Sequence, residues 1–288
     1  MVVKNSIEDV IKPYIKKNVL NILDVGGYKG RSQELFDGDM ITVLDVYDIK
    51  EASYIRGDGA SQPFNDEEYD ISVNFDVLEH IPRSKRERFL PECLRIAKYG
   101  MFVSAPIDNK KKDVSEAERK VNNIYKLVQH KDHKWLKEHA DNKLPTEVEV
   151  ERLFKNKKMF YTKTSSNPLI YWSILQSTFF ILSAIEPDEK QPQFTDAEFY
   201  SYHKTINSLY NSKLNKYELV SLPSYRKIYF VSKDRRLVRK MNKYWNKRET
   251  TKTPETIIDD LGELINVAQS TIAKMSALLN KSKADKND

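Results

Sequence analysis

Short apolar runs alternate with helical-period stretches through the first hundred residues, a pattern of buried parallel strands joined by helices. Val19–Val25 is the first such run, and Gly26-Gly27-Tyr28-Lys29-Gly30 turns from it into a helix holding Leu35 and Phe36. Met40–Leu44 forms a second strand that ends in Asp45, and Tyr54-Ile55-Arg56 leads into Gly57-Asp58-Gly59-Ala60. Tyr69–Phe75 and Gly100–Pro106 complete this half of the chain. Beyond it, Val114 to Val128 follow a helical pattern, and Thr146-Glu147-Val148-Glu149 opens a helix with a capping signal. From Thr164 to Ile185 no charged residue occurs, a stretch read as a buried or interfacial helix. Lys227–Ser232 reads as a last strand, and Thr253-Pro254-Glu255 starts a helix with an apolar stripe at Ile257, Leu261, Leu264, Ala268, Ile272, Met275 and Leu279.

Composition narrows the classes. The 288 residues suit one elaborated domain or two small ones, and 40% apolar with 31% charged residues excludes collagen, low-complexity disorder and a polytopic membrane protein. Cys93 is the sole cysteine and no signal peptide precedes the first strand, so the expected compartment is the cytoplasm. The net charge of +6 matters only where it clusters, from Lys233 to Arg248, as a solvated helix face or a contact for an anionic surface. Five of the eight glycines stand at 26, 27, 30, 57 and 59, where backbone has to approach something closely.

Strand, glycine turn and helix make a nucleotide-site grammar, and an acid close to the end of the second strand suits ribose hydroxyls. On that much, NAD and S-adenosylmethionine fit equally. The following residues separate them. Asp24-Val25-Gly26, Asp45, Gly57-Asp58-Gly59 and Phe75-Asp76-Val77-Leu78-Glu79-His80-Ile81-Pro82, with Arg95-Ile96-Ala97 and Gly100–Pro106 after them, resemble a class I S-adenosylmethionine-dependent methyltransferase over about residues 18–108. Tyr28 takes the middle glycine position of that family's turn.

The resemblance implies an α/β fold: a doubly wound seven-stranded sheet whose last strand inserts antiparallel, with a helical lid over about residues 109–222. The domain would span 1–233, followed by a basic helix and a C-terminal helix over 234–288. It assigns Asp45 to the ribose, Asp58, Gly59 and Ala60 to the adenine edge, and the Gly26, Gly27 and Gly30 backbone with Asn74 to the methionine arm. Asp24, Val46 and Phe75 complete the cofactor set.

If the acceptor is a hydroxyl, His80 is the first candidate to take its proton, since imidazole titrates near neutrality. Asp76, Glu79 and His80 also resemble the metal-holding stretch of small-RNA 2′-O-methyltransferases, with a further ligand to come from His130, His133 or His139. A divalent metal is therefore a second reading beside the metal-free one. The lid, with Pro223-Ser224-Tyr225-Arg226, resembles methyltransferases of surface-glycan assembly, which points to a sugar, glycan or glycolipid acceptor and to peripheral membrane contact. The stripe over 255–280 is expected to pack in a homo-oligomer, on a partner protein or on the chain's own domain. Two rivals stay open: an RNA 2′-O-methyltransferase, less favoured because no RNA module is recognisable, and an inactive cofactor-binding scaffold, for which Tyr28 speaks.

Overall fold

The computed structural model describes residues 2–27, 35–48, 53–109, 111–183 and 224–248, together with positions 262, 265, 266, 269 and 273. Seven strands form one sheet: β1 (Asn21–Val25), β2 (Met40–Asp45), β3 (Tyr54–Arg56), β4 (Tyr69–Phe75), β5 (Ala97–Pro106), β6 (Phe160–Pro168) and β7 (Ser224–Ser232). Their order is β3-β2-β1-β4-β5-β7-β6, with β7 antiparallel to both neighbours and the rest parallel. This is the doubly wound sheet with an inserted antiparallel last strand that the family resemblance implies.

The helices are α1 (Val2–Ser6) and α2 (Lys12–Ile15), joined by a wider turn over Ile7–Ile11, then α3 (Arg83–Arg95), α4 (Asp113–Gln129), α5 (Lys134–Asn142), α6 (Glu147–Asn156), α7 (Leu169–Ser183) and α8 (Arg235–Arg248). Both faces of the sheet are covered, which explains why β4 is buried over nearly its whole length, its polar Asp70, Ser72 and Asn74 included. On one face Leu23, Val25, Met101 and Val103 pack with Phe89, Leu90 and Leu94 of α3 and Val150, Leu153 and Phe154 of α6. On the other, Ile22, Ile71, Val73 and Phe102 pack with Val3, Ile7 and Ile11 and with Leu237, Val238, Met241 and Trp245 of α8.

That second layer corrects the boundary expected at residue 233. The basic helix belongs to the sheet's own core: its apolar side is buried, the Trp245 indole donates to Ser6 Oγ at 2.8 Å, and the Tyr14 hydroxyl donates to Asp234 at 2.7 Å. Asp234 accepts from the Arg236 and Leu237 amides and so caps the helix start. The cations occupy the opposite side of the helix.

The uncharged stretch from Thr164 to Ile185 divides in two. Residues up to Pro168 form the edge strand β6, and Leu169 begins α7, so no helix among the described residues is long and apolar enough to cross a membrane. Trp172 and Phe180 of α7 pack instead with Val114 and Val121 of α4, Leu136 of α5 and Tyr225 of β7 in a separate lid core. Gly30, Tyr28 and all seven residues of the apolar stripe over 255–280 lie outside the described residues, as does 184–223 of the lid.

Candidate functional site

β1 pairs with β2 on one side and β4 on the other, so the chain winds away in both directions from the carboxyl end of β1. A crevice opens at such a switch point, and ligands of doubly wound sheets sit there. The expected cofactor residues gather along this edge. Gly26 leaves β1 with φ +83° and donates its amide to Leu44 O at 2.7 Å. A Cβ on Gly26 would meet Val77 Cγ2 at 2.5 Å, and one on Gly27 would land on the buried Asp24 carboxylate. Asp45 closes β2, buried, with Oδ1 accepting from the Tyr47 amide at 3.0 Å. Val46 and Tyr47 beside it are exposed, an apolar shelf at the strand end. The turn after β3 is built by Asp58, which accepts from the Ala60 amide through Oδ1 and from the Ser61 amide through its carbonyl, both at 2.9 Å. Gly59 lies flat on Phe89 and Val25, leaving no room for a side chain.

Asn74, near the end of β4, is wholly buried and neither atom of its amide has a hydrogen-bond partner. A buried amide left unpaired costs of order 1–3 kcal/mol, so its presence here fits a ligand that supplies a donor and an acceptor. Phe75 follows, half-buried against Phe36 with ring centroids 6.3 Å apart.

Past β4 the chain enters the lid contact. His80 is half-buried and its carbonyl accepts from Asn142 Nδ2 of α5 at 3.0 Å. Arg86 of α3, fully buried, locks the same junction: Nε donates to Ile81 O at 3.0 Å and Nη2 donates to Lys143 O at 2.6 Å, with Glu149 at 3.5 Å. Docked this way, α5 brings His139 onto His80, with the two Nε2 atoms 3.3 Å apart. His80 Nδ1 faces Glu138 Oε2 at 3.2 Å, and His139 Nδ1 faces Glu118 Oε1 at 3.0 Å. Tyr225 of β7 donates its hydroxyl to the same Glu118 oxygen at 2.8 Å. Burial, then the neighbouring His139, lowers the His80 imidazole below its ordinary value. Burial, then Asp76, pushes the Glu79 carboxyl well above the usual carboxylate range, and burial beside Glu118 raises the Tyr225 phenol.

Of the expected metal-side residues, the structure brings together Glu79, His80 and His139, and leaves Asp76, His130 and His133 outside that cluster. Asp76 is held in a two-pronged ion pair by Arg226, at 2.5 and 2.7 Å. His133 stacks among Tyr125, Trp135 and Phe180 in the lid, where burial lowers its imidazole. His130 caps the end of α4 with positive φ. Sequence reading gave no role to Glu118 or Glu138; no motif marks carboxylates whose partners come from another element.

Residues 23–104 match the family model described as "Methyltransferase domain". The match runs from β1 through β5, over the whole cofactor edge, and supports an S-adenosylmethionine-dependent methyltransferase. Solved structures with similar folds include a SAM-dependent methyltransferase from Archaeoglobus fulgidus, 13% identical over 81% of this chain and 93% of that one, TM-score 0.43. A second is a SAM-dependent methyltransferase of Thermotoga maritima, titled as a possible histamine N-methyltransferase, 12% identical over 81% and 90%, TM-score 0.43. A third is an N-methyltransferase of Haemonchus contortus in complex with phosphomonomethylethanolamine and S-adenosylhomocysteine, 15% identical over 79% and 52%, TM-score 0.45. No curated protein matches the sequence.

Proposed function

We propose that this chain transfers the methyl group of S-adenosylmethionine to a hydroxyl oxygen of a sugar or glycan acceptor. The observation that carries the oxygen acceptor is the pair of imidazoles at the lid junction, each backed by a carboxylate and meeting at Nε2. A hydroxyl loses a proton as it is alkylated, and a neutral imidazole nitrogen can accept it.

S-adenosylmethionine supplies an electrophilic methyl group on a sulfonium. The chain's own contribution is to bind and orient: Asp45 for the ribose hydroxyls, the Asp58–Ala60 turn for the adenine edge, Asn74 and the Gly26-Gly27 backbone for the amino-acid arm. Methyl transfer from a cation disperses charge, so alignment and exclusion of water do most of the work. The lid serves both, since α5 closes over the end of β4 where His80 stands.

The sugar class rests on the lid. Tyr225 and Arg226, within the segment whose resemblance points to glycan assembly, meet the reacting edge directly, one bonded to Glu118 and the other to Asp76.

The test is an acceptor screen with S-adenosylmethionine against oligosaccharides, glycolipids, RNA and free carboxylic acids. Methylation of sugar hydroxyls by the wild type, lost in His80→Ala while cofactor affinity stays, is expected. Methylation of RNA or of carboxylates instead, or full activity in His80→Ala, would refute this reading.

A further inference from the structure

We infer that Glu79, His80 and His139 form a binding site for one divalent transition-metal cation. One ligand atom from each lies within 4.8 Å of the others. Proximity alone would mean little, and three further observations give it content.

The first is the placement of hydrogens. An ionised carboxylate only accepts, so facing Glu138 and Glu118 places each ring's hydrogen on Nδ1. With both rings neutral, the two Nε2 atoms present lone pairs to each other across 3.3 Å, an arrangement relieved by a proton shared between the rings or by a metal cation where they converge. Second, the spacing fits: two imidazoles bound at about 2.0–2.1 Å to a tetrahedral ion hold their nitrogens roughly 3.3 Å apart. Third, Glu79 is buried to 1% exposure, its Oε2 has no hydrogen-bond partner, and one of its carboxyl oxygens belongs to the same group of ligand atoms.

The surroundings match a ligand set rather than a chance cluster. Metal-bound histidines characteristically give the other ring hydrogen to a carboxylate, and both rings here do so. Glu118 is itself fixed by the Tyr225 hydroxyl. Two nitrogens and one oxygen suit Zn²⁺, Co²⁺ or Mn²⁺ and not Mg²⁺ or Ca²⁺, which take oxygen ligands. Three protein ligands leave a coordination position open, as in catalytic sites. The inference rests on the proposed function only for what fills that position, an acceptor hydroxyl, which the bound ion would acidify in place of proton transfer to an Nε2 lone pair; the binding itself does not depend on it.

Chelator-treated full-length protein is titrated with Co²⁺ alone, followed by visible absorption and calorimetry, with Mg²⁺ as control. One Co²⁺ per chain with d–d bands, and no Mg²⁺ heat, is expected. Glu79→Gln and His80→Asn each weaken binding more than tenfold with the far-ultraviolet circular dichroism kept, and Glu118→Gln weakens it about 10–100-fold as an outer partner. His80→Asn is chosen because His80 is only partly buried, whereas His139 is buried and its loss risks the fold. Absence of Co²⁺ binding by the folded wild type, or unchanged binding in both ligand variants, overturns the site. S-adenosylmethionine is titrated separately: cofactor binding without Co²⁺ binding overturns this inference alone, and Co²⁺ binding without cofactor binding overturns the proposed function alone.

Discussion

His80 and His139 meet at Nε2, 3.3 Å apart, although 59 residues separate them in the chain. The contact joins the segment after β4 to α5 of the lid. Its geometry is fixed by neighbours on both sides, Asn142 on the His80 carbonyl and Arg86 on the carbonyls that end α5.

Arg86 should therefore hold the lid on the sheet. Its guanidinium is fully buried among Ile81 O, Asn142 O, Lys143 O and Glu149. Arg86→Met leaves three carbonyls without their donor in a dry setting and Glu149 with only the exposed Arg83 beside it, and loss of one partner of a buried pair costs about 3–5 kcal/mol. Urea unfolding should show a loss of that size, with Arg86→Lys between it and the wild type because an ammonium cannot span the same acceptors. A change within ±0.5 kcal/mol, the range of an ordinary surface substitution, would contradict the role.

Asp45→Ala tests the ribose assignment. The side chain sits at the strand end with one oxygen on the Tyr47 amide, so removing it should leave the fold intact. Calorimetry should show S-adenosylmethionine binding abolished; retained affinity would refute the assignment.

Gly26→Ala combines two penalties, a left-handed φ of +83° and a Cβ 2.5 Å from Val77 Cγ2. The first costs roughly 1–2 kcal/mol and the second about 1–3. Adding Val77→Ala should lessen the clash but not the backbone strain, so the double variant should show a smaller loss than the two single losses summed. Strict additivity of the two losses would contradict the packing.

Cys93 is wholly buried, and burial raises its thiol far above the ordinary value. Thiolate, the reactive form, is therefore scarce at pH 8. A thiol reagent should be consumed only after denaturation, one equivalent per chain, and rapid modification of the folded protein would contradict the core.

The strands that shape the crevice at the β1 switch point were legible because they are short, rich in apolar residues and end in glycine or aspartate, as at Val25-Gly26 and Leu44-Asp45. β6 was not, since Thr162, Lys163, Thr164 and Ser165 lie on an edge strand paired only with β7 and carry no apolar run. The docking of α8 was hidden by its charge: eight cations in Lys233–Arg248 drew attention away from Leu237, Val238, Met241 and Trp245, whose spacing marks one buried side. At the site, His80 could be read from its place after β4, while the choice of His139 over His130 and His133 depended on how α5 docks, which no local pattern encodes. Asp76 shows the converse, since a residue of the right type is claimed by Arg226, 150 positions further on.

The most direct test of methyl-donor binding at the β1 switch point is calorimetric titration of the purified protein with S-adenosylmethionine and S-adenosylhomocysteine, with NAD as control. Saturable binding of both sulfur compounds at one site per chain, without NAD binding, is expected. Binding of NAD in their place, or of none of the three, would contradict the reading of Asp45, Asp58 and Asn74 as its ligands.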